Sequence, residues 1–342
     1  MSTVTIKDVA KLAGVSIGTV SNMLTQKRPV AEETRQRILA AIESLGYTPN
    51  LLARGLINRQ SYSLGVITTN LELYGTSSTL VGIEKKANEL GYSLILQLLH
   101  EPEYMNPAAL ISGFQSRQVD GIIWAVPEID HNMDWVEEYT KDSDLPILFI
   151  FVRPRQQAHM VHTRHRQGSF EAVEHLINNG CQKIAMISGP FTWWLSGERL
   201  QGYEDALERA GIPYNEDLVK FGDWSAESGE TAAKILLEQH PDLDGLFASN
   251  DQMALGAIGA LHRLDKKIPL EVAVIGYNNI PESQYFWPSL STVNPHHQQL
   301  GSSAVEKIIH IITKTDSAPE AEEMPNDEIA PELVIRESSK KS

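Results

Sequence analysis

The sequence predicts an N-terminal all-α head followed by an α/β body of two doubly wound parallel-sheet lobes. Three observations predict this organisation. Residues 5–46 show helical apolar spacing with cap and stop residues. From residue 64 onward, short β-rich runs alternate with amphipathic stretches of helical length, which is typical of βαβ units. The length of 342 residues exceeds one small core and fits a head plus a two-lobed body.

The first two predicted helices are separated by a tight turn. Thr5 and Asp8 form a capping-box variant that begins the first helix, and Gly14 ends it. Ser16 is the predicted N-cap of a second helix over 17–24. Two helices joined in this way are the signature of a helix-turn-helix. The residues predicted to form the inward face of the first helix are Val9, Ala10, Leu12 and Ala13.

The second helix of such a motif lies in the major groove of DNA, and a third helix over 32–45, ending at Gly46, closes the core of the head. Asn pairs well with adenine, so Asn22 is expected to read a base, with a phosphate contact as the alternative. Hydroxyl groups suit phosphate contacts, which position the protein without reading sequence. The predicted DNA-contacting residues are Thr5, Ser16, Ile17, Gly18, Thr19, Ser21 and Asn22.

Charge is distributed unevenly along the chain. The overall net charge is −15, but residues 1–60 contain eight Lys or Arg and four Asp or Glu, so this part carries +4 and the remainder −19. A basic head releases counterions from DNA, while an acidic body is repelled by the duplex. The single cysteine, Cys181, and the lack of an N-terminal secretion pattern predict a cytoplasmic protein, and no apolar run is long enough to span a membrane.

The body divides into two series of predicted strands with helices between them. An acidic, proline-containing segment at 318–328 is predicted to be an exposed connection. In open α/β sheets, ligands bind at the carboxyl ends of the strands, so these ends are where a binding site is expected. The predicted strands are 64–68, 92–98, 121–125 and 147–151 in the first series, and 183–187, 218–221, 245–248 and 272–277 in the second.

The head residues resemble those of the LacI/GalR family of bacterial transcription regulators, and the resemblance extends over nearly the whole chain. Three body segments resemble effector-domain signatures of that family: Ser249-Asn-Asp-Gln-Met-Ala-Leu-Gly-Ala257, Gly276-Tyr-Asn-Asn-Ile-Pro281 and Pro331-Glu-Leu-Val-Ile-Arg-Glu-Ser-Ser339. The resemblance implies lobes like those of periplasmic sugar-binding proteins, with three chain crossings near 160, 291 and 325. It also implies a homodimer, because paired heads match palindromic operators and the chain has no C-terminal leucine heptad for tetramers.

The implied domains are a helix-turn-helix head at 1–46, a hinge helix and linker at 47–61, and an effector-binding and dimerisation body at 62–342. The N-lobe is expected at about 62–160 and 292–324, and the C-lobe at about 161–291 and 325–340. Tyr47-Thr-Pro-Asn50 resembles the start of the family hinge helix. A helix so short is expected to order only on DNA, where its wedge residue opens a minor-groove step. The implied hinge contacts are Asn50, Ala53, Arg54 and Leu56.

The resemblance also implies an effector site between the lobes. Arg199 matches the recurrent ligand-binding arginine, whose fork suits sugar hydroxyls or a carboxylate. Aromatic faces suit the apolar face of a pyranose. Sugar-binding relatives commonly carry acidic residues where this chain has Phe151 and Asn278, so two acceptors for sugar hydroxyls are missing. The ligand could therefore be larger, less dependent on hydroxyl contacts, or anionic. The predicted effector-binding residues are Tyr74, Trp124, Phe151, Arg153, Trp193, Arg199, Trp224, Asn250, Asp251 and Asn278.

Two features keep alternatives open. Asn250 and Asp251 follow a predicted strand, where either could cap the next helix instead of binding a ligand. The basic cluster is a ligand site for an anion, a solvated face or a subunit contact; it consists of Arg153, Arg155, Arg164, His165 and Arg166.

The sequence therefore predicts a DNA-binding transcription regulator, a repressor controlled by a small carbohydrate-like effector. The alternative is a regulator of the same fold controlled by an anionic metabolite, a purine or a protein co-effector. An enzyme is disfavoured, because the chain has no glycine-rich phosphate loop, GxSxG elbow or metal-spaced His and Cys set. No cofactor or metal is expected, since His296 and His297 are adjacent rather than four residues apart.

Overall fold

A computed structural model describes residues 4–25, 28–47, 60–142, 144–156, 158–313 and 327–340. The chain divides into two compact units, Met1–Tyr62 and Ser63–Ser342. Four residues of the predicted hinge helix, Asn50, Ala53, Arg54 and Leu56, lie outside the described residues.

The head contains three helices: α1 (Ile6–Ala13), α2 (Ile17–Thr25) and α3 (Glu32–Leu45). The Asp8 carboxylate accepts hydrogen bonds from the Thr5 backbone N–H at 2.9 Å and the Thr5 hydroxyl at 2.7 Å. The Ser16 hydroxyl oxygen accepts from the Thr19 backbone N–H at 3.1 Å, as expected for the N-cap of α2. Gly14 and Gly46 end α1 and α3 in the left-handed conformation. Local capping chemistry therefore sets these boundaries.

The core of the head is small and apolar. It is formed by Val9, Ala10, Ala13, Val20, Ile38 and Ala41. The prediction that Leu12 faces inward is wrong, because its side chain is 55% exposed. At about 100° per residue, Leu12 falls outside the arc of α1 that holds the buried positions.

The body consists of alternating strands and helices. In chain order, the strands are β1 (Ser63–Thr69), β2 (Ser93–Leu99), β3 (Gly121–Ala125), β4 (Ile147–Phe149), β5 (His159–Thr163), β6 (Ile184–Ser188), β7 (Val219–Phe221), β8 (Gly245–Ala248), β9 (Ala273–Tyr277), β10 (Ser291–Asn294), β11 (Asp327–Ile329) and β12 (Glu332–Val334). The helices are α4 (Tyr74–Glu89), α5 (Pro107–Ser116), α6 (Val136–Asp142), α7 (His165–Asn178), α8 (Trp194–Arg209), α9 (Ala226–Gln239), α10 (Asp251–Arg263) and α11 (His297–Thr313). Short 3-10 turns occur at Pro102–Tyr104, Glu216–Leu218 and Pro281–Tyr285.

The strands form two six-stranded sheets, one in each lobe. The first sheet has the order β11-β5-β4-β3-β1-β2, and all its pairings are parallel. The second has the order β12-β10-β9-β8-β6-β7, with an antiparallel edge where β12 pairs with β10. Strands β3, β6, β8 and β9 are buried throughout, as expected for parallel strands covered by helices on both faces.

The chain passes between the two sheets three times. The passages lie at Arg164 between β5 and α7, at 295–296 between β10 and α11, and at 330–331 between β11 and β12. Each lies four to six residues beyond the expected position near 160, 291 or 325. The reason is that each passage follows a short strand, β5, β10 or β11, that the sequence pattern did not reveal. Within the described ranges, none of the helices has both the length and the apolar character needed to cross a bilayer.

Candidate functional site

A cavity lies between the two lobes, where the carboxyl ends of strands from both sheets face each other. The segments after β1, β3 and β4 contribute residues from the first lobe, and those after β6, β7, β8 and β9 contribute residues from the second. This is the place that open parallel sheets offer to ligands. The lining residues are Leu73, Tyr74, Gly75, Thr76, Pro127, Phe151, His165, Trp193, Leu195, Arg199, Trp224, Asn250, Gln252, Asn278 and His297.

Seven of the ten predicted effector residues are brought together in this lining. They are Tyr74, Phe151, Trp193, Arg199, Trp224, Asn250 and Asn278. Three cavity residues with side chains also have positive φ: Phe151 at 65°, Trp224 at 74° and Asn278 at 103°. Such conformations are costly for residues with a Cβ and cluster at functional sites. The backbone around the cavity is therefore held in an unusual shape.

Arg199 lies in the first half of α8 and is only 4% exposed. Its Nη1 donates a hydrogen bond to the Ser249 carbonyl oxygen. The guanidinium carbon lies 4.0 Å from the Tyr277 ring centroid and 5.6 Å from that of Trp224. Its buried Nε has no hydrogen-bond partner within the described part of the chain. Burial lowers the pKa of Arg199, yet a guanidinium remains charged in proteins.

Aromatic side chains form two walls of the cavity. Trp193 and Trp224 contact each other edge to face, with centroids 5.5 Å apart. On the first-lobe side of the cavity, the Tyr74 ring contacts the His297 ring at a centroid distance of 6.0 Å. The buried Nε1 of Trp224 has no acceptor among the described residues. The cavity lining thus combines flat apolar faces with buried N–H groups that have no acceptor among the described residues.

The two asparagines of the lining differ in their hydrogen bonds to the rest of the protein. Asn250 caps α10, since its Oδ1 accepts from the Met253 N–H at 2.8 Å, and its Nδ2 donates to the Trp224 carbonyl at 2.8 Å. Both ends of its side chain are therefore engaged within the fold. Asn278 places its Oδ1 3.1 Å from Nε2 of His297.

Two histidines of the lining were not among the predicted effector-binding residues, although His165 belongs to the predicted basic cluster. His165 places Nδ1 3.0 Å from the Tyr277 hydroxyl. Burial, with repulsion from Arg199, lowers the pKa of His165 well below its usual value and that of His297 to about 3. Both rings are therefore neutral at pH 7. Each histidine begins the helix that follows a passage between the lobes, and that position is the sequence signal that could have identified them.

Three predictions about the cavity lining are wrong. Trp124 is fully buried in the first-lobe core, with its ring centroid 4.7 Å from that of Trp135. Asp251 is fully buried behind the lining, where it accepts from the Thr292 hydroxyl at 2.5 Å and the Ile280 N–H at 2.8 Å. Burial raises its pKa to about 7. Arg153 lies outside the cavity, where its 55% exposed side chain pairs with Glu128.

Glu128 organises the loop that carries Arg153. Its side chain is 3% exposed and accepts from the Arg153 backbone N–H at 2.9 Å and from Arg155 Nη1 and Nη2 at 2.9 and 3.2 Å. The same segment bridges the lobes, because Asp130 N–H donates to the Thr192 carbonyl and Trp194 N–H to the Glu128 carbonyl, both at 3.0 Å. The two lobes are thus joined by backbone hydrogen bonds beside the cavity.

In the head, the start of α2 is available for contact. Ser16, Ile17 and Gly18 are exposed, and Ile17 is 45% exposed. The remaining predicted residues of α2, Thr19, Ser21 and Asn22, are half-buried, and Thr5 is exposed beside Asp8. Of the seven predicted head residues outside the hinge, four are therefore exposed and three are half-buried.

Comparison with known proteins identifies two regions. Residues 5–50 match the description "Bacterial regulatory proteins, lacI family", and residues 173–339 match "Periplasmic binding protein-like domain". The chain is 36% identical over 324 residues to the HTH-type transcriptional regulator AscG of Escherichia coli (strain K12), covering 92% of this chain and 94% of the relative.

Solved structures give the same result over the full length. The lac repressor dimer bound to operator and the anti-inducer ONPF superposes with a TM-score of 0.80 at 29% identity, covering 99% of both chains. The complex of the transcriptional regulator CelR with cellobiose gives a TM-score of 0.69 at 28% identity, covering 98% of this chain and 99% of that one. These relatives are transcription regulators rather than enzymes.

Proposed function

Because the chain belongs to the LacI family of bacterial regulatory proteins, we propose that it is a cytoplasmic repressor that binds a palindromic operator as a homodimer. A small carbohydrate-like effector in the interlobe cavity controls this binding. The observation that carries the proposal is the presence on one chain of a head with an accessible α2 start and of a cavity around Arg199.

The exposed start of α2 supports DNA reading by the head. In a helix-turn-helix, the first residues of the second helix contact base edges in the major groove. Ile17, Gly18 and Asn22 are assigned to bases, and the hydroxyls of Thr5, Ser16, Thr19 and Ser21 to phosphates. Family resemblance assigns Asn50, Ala53, Arg54 and Leu56 to a hinge helix that forms on the operator.

An apolar edge of the first lobe supports the homodimer. Strand β2 is the terminal strand of its sheet, and its sequence Ser-Leu-Ile-Leu-Gln-Leu-Leu leaves Leu96 46% exposed. On α4, which packs next to it, Val81 is 41% exposed. An exposed apolar edge strand is a template for pairing with a second chain. We expect Leu96→Lys to convert the dimer to a monomer in sedimentation analysis, whereas Leu264→Lys, at a 50% exposed leucine on another face, leaves a dimer.

Two features support a carbohydrate-like effector. The Trp193 and Trp224 faces suit the C–H face of a sugar ring, and buried polar hydrogens of Arg199 and Trp224 suit its oxygens. The similar regulator CelR was solved with cellobiose. A purine would also stack on these rings, and a protein co-effector would leave the cavity unused, so a ligand titration separates the three.

Regulation follows from the lobe arrangement. An effector that binds one arrangement better than another shifts the population toward it, by no more than its difference in affinity for the two. The backbone bridge of residues 128–130 with 192–194 joins the lobes beside the cavity, so we expect an effector in the cavity to act on the lobe arrangement next to this bridge. Couplings of about 1–3 kcal/mol are typical of allosteric proteins, which corresponds to several-fold to roughly hundred-fold changes in affinity.

The test is selection of bound duplexes from a random DNA library by the full-length protein, with and without a panel of sugars, sugar acids and purines. We expect enrichment of a two-fold symmetric site. Asn22→Ala should relax the preference at one position of each half-site, while Gln115→Ala, which removes an exposed amide of the body, should reproduce the wild-type motif. No enrichment under any condition contradicts the proposed function, and unchanged motifs for Asn22→Ala contradict base reading by that residue.

A further inference from the structure

The interlobe cavity contains a buried positive charge but no acidic side chain. None of its fifteen lining residues is Asp or Glu. Arg199 is 4% exposed and forms no ion pair within 4 Å with any described residue. The cost of a buried charge left without a partner is several kcal/mol in proteins, about 3–5 when one partner of a buried pair is removed. Arg199 therefore favours a ligand that supplies the opposite charge.

The other arginines near the passage between the lobes each have a protein carboxylate within 4 Å. Arg153 and Arg155 pair with Glu128, and Arg166 pairs with Asp205 at 2.5 Å. Arg164 lies 3.8 Å from a Glu328 carboxylate oxygen. The basic cluster of Arg153, Arg155, Arg164, His165 and Arg166 is therefore a weaker candidate for the anion site than Arg199. Four of its members face protein carboxylates, and the fifth, His165, is a neutral lining residue. Of these arginines and Arg199, only Arg199 has no carboxylate within 4 Å in the described part of the chain, and it lies inside the cavity.

Asp251 is the acid that acts electrostatically on Arg199, but the two side chains do not form an ion pair. Asp251 influences the guanidinium through space, but its two oxygens accept from the Thr292 hydroxyl and the Ile280 N–H. Asn278 adds no negative charge to the lining, and its Oδ1 faces His297.

We propose that the effector is an acidic sugar whose carboxylate or phosphate group binds Arg199. This inference rests on the proposed function and specifies the chemistry of its effector. The guanidinium Nε–H and the Trp224 Nε1–H are both buried donors without acceptors among the described residues, and both belong to side chains of the lining. Charged oxygens accept strongly from such donors, and a guanidinium fork matches a carboxylate or phosphate. The Trp193 and Trp224 faces receive the sugar ring.

The first experiment uses the wild-type, full-length protein and matched ligands. Tryptophan fluorescence is titrated with glucose, glucuronate and glucose 6-phosphate, with galactose and galacturonate, and with inorganic phosphate and acetate, at constant ionic strength set by NaCl. We expect saturable changes with phosphate or acetate and at least tenfold tighter binding of an acid or phosphate ester than of its neutral parent. The carboxylate and phosphate members of each set show which group is preferred.

The second experiment compares variants of two arginines. Arg199→Met removes the buried charge and should weaken binding of the anions at least about thirty-fold. Arg199→Lys keeps a charge without the fork and should give an intermediate affinity, which guards against a folding defect in the Met variant. The matched control, Arg166→Ala, removes a 53% exposed guanidinium outside the cavity and should leave anion binding within twofold of wild type.

Three outcomes overturn the proposal: no saturable response to phosphate or acetate, equal affinity for neutral sugars and their acids, or anion binding that persists in Arg199→Met. Operator selection with the same variants separates this failure from failure of the proposed function. A symmetric operator motif combined with preference for a neutral sugar leaves the regulator proposal intact and removes only the acidic group.

Discussion

Gly189 is the position at which a single methyl group tests the geometry of the cavity most severely. It follows β6, and its missing side chain lets the Trp224 indole lie directly over the backbone. A Cβ at this position would be 2.0 Å from Cη2 and 2.2 Å from Cζ2 of Trp224. Carbon atoms in contact prefer about 3.5–4.0 Å, so Gly189→Ala must push the indole away by about 1.5 Å.

The structure predicts both an energetic and an optical effect of Gly189→Ala. Overpacking of a closely packed site destabilises by about 1–3 kcal/mol. Displacement of Trp224, which is 8% exposed and 5.5 Å from Trp193, should also expose the indole and shift its emission to longer wavelength. Urea unfolding followed by far-UV circular dichroism measures the first effect, and the emission spectrum of the native protein measures the second.

Gly197→Ala is the matched control for this prediction. Gly197 lies within α8 at the same end of the second lobe, and a methyl group there would meet no heavy atom within 4 Å. We expect this variant to gain up to about 1 kcal/mol, because alanine is the better helix former. If Gly189→Ala matches wild type in both unfolding free energy and emission maximum, the described position of Trp224 against Gly189 is wrong.

Two further predictions concern buried ionisable groups. Glu128→Gln should lower the unfolding free energy by about 3 kcal/mol, because it leaves the 10% exposed Arg155 without a carboxylate. The control Asp242→Asn, at a 72% exposed partner of Lys183, should change the unfolding free energy by less than about 1 kcal/mol. Equal effects of the two variants would refute this distinction between buried and exposed pairs. His297 has a pKa of about 3 in the folded protein, against an ordinary value of 6.5. As the pH falls below 6.5, this histidine takes up a proton in the unfolded chain but not in the folded one, so the free energy of unfolding decreases. Relative to wild type, His297→Gln should therefore become about 2 kcal/mol more stable between pH 6.5 and 5. The raised pKa of Asp251 affects stability in the opposite direction, but it does so in both proteins and cancels in the difference between the variant and wild type. A difference in unfolding free energy that does not change with pH would contradict a buried, neutral His297.

The head was predictable because its boundaries are set by neighbouring residues. The expected third helix at 32–45 agrees with α3, and Ser16 caps α2 as the sequence indicates. Fully buried strands such as β3 and β8 were also predictable, because each is a short, nearly continuous apolar run. By contrast, β5 reads His-Met-Val-His-Thr, and its polar ends conceal a strand that is stabilised by neighbours distant in sequence.

The cavity was only partly predictable because the face on which a side chain lies depends on backbone geometry. Trp124 and Phe151 both occur near strand ends in the first lobe, and both were expected to contact the effector. Trp124 remains within β3 and packs into the core, whereas Phe151 lies two residues beyond β4 with a φ of 65° and lines the cavity. No local pattern distinguishes these two outcomes. The role of His165 and His297 likewise depends on where the lobes meet.

In the proposed regulator, occupancy of the interlobe cavity controls operator binding by the head. The most direct measurement is the fluorescence anisotropy of the selected operator, titrated with wild type and with Arg199→Met, in the presence and absence of the acidic sugar that binds wild type most tightly. We predict that the ligand changes operator affinity of wild type by about 5- to 150-fold and leaves that of Arg199→Met unchanged. An operator affinity that stays constant in wild type while the ligand saturates the tryptophan signal would contradict the account.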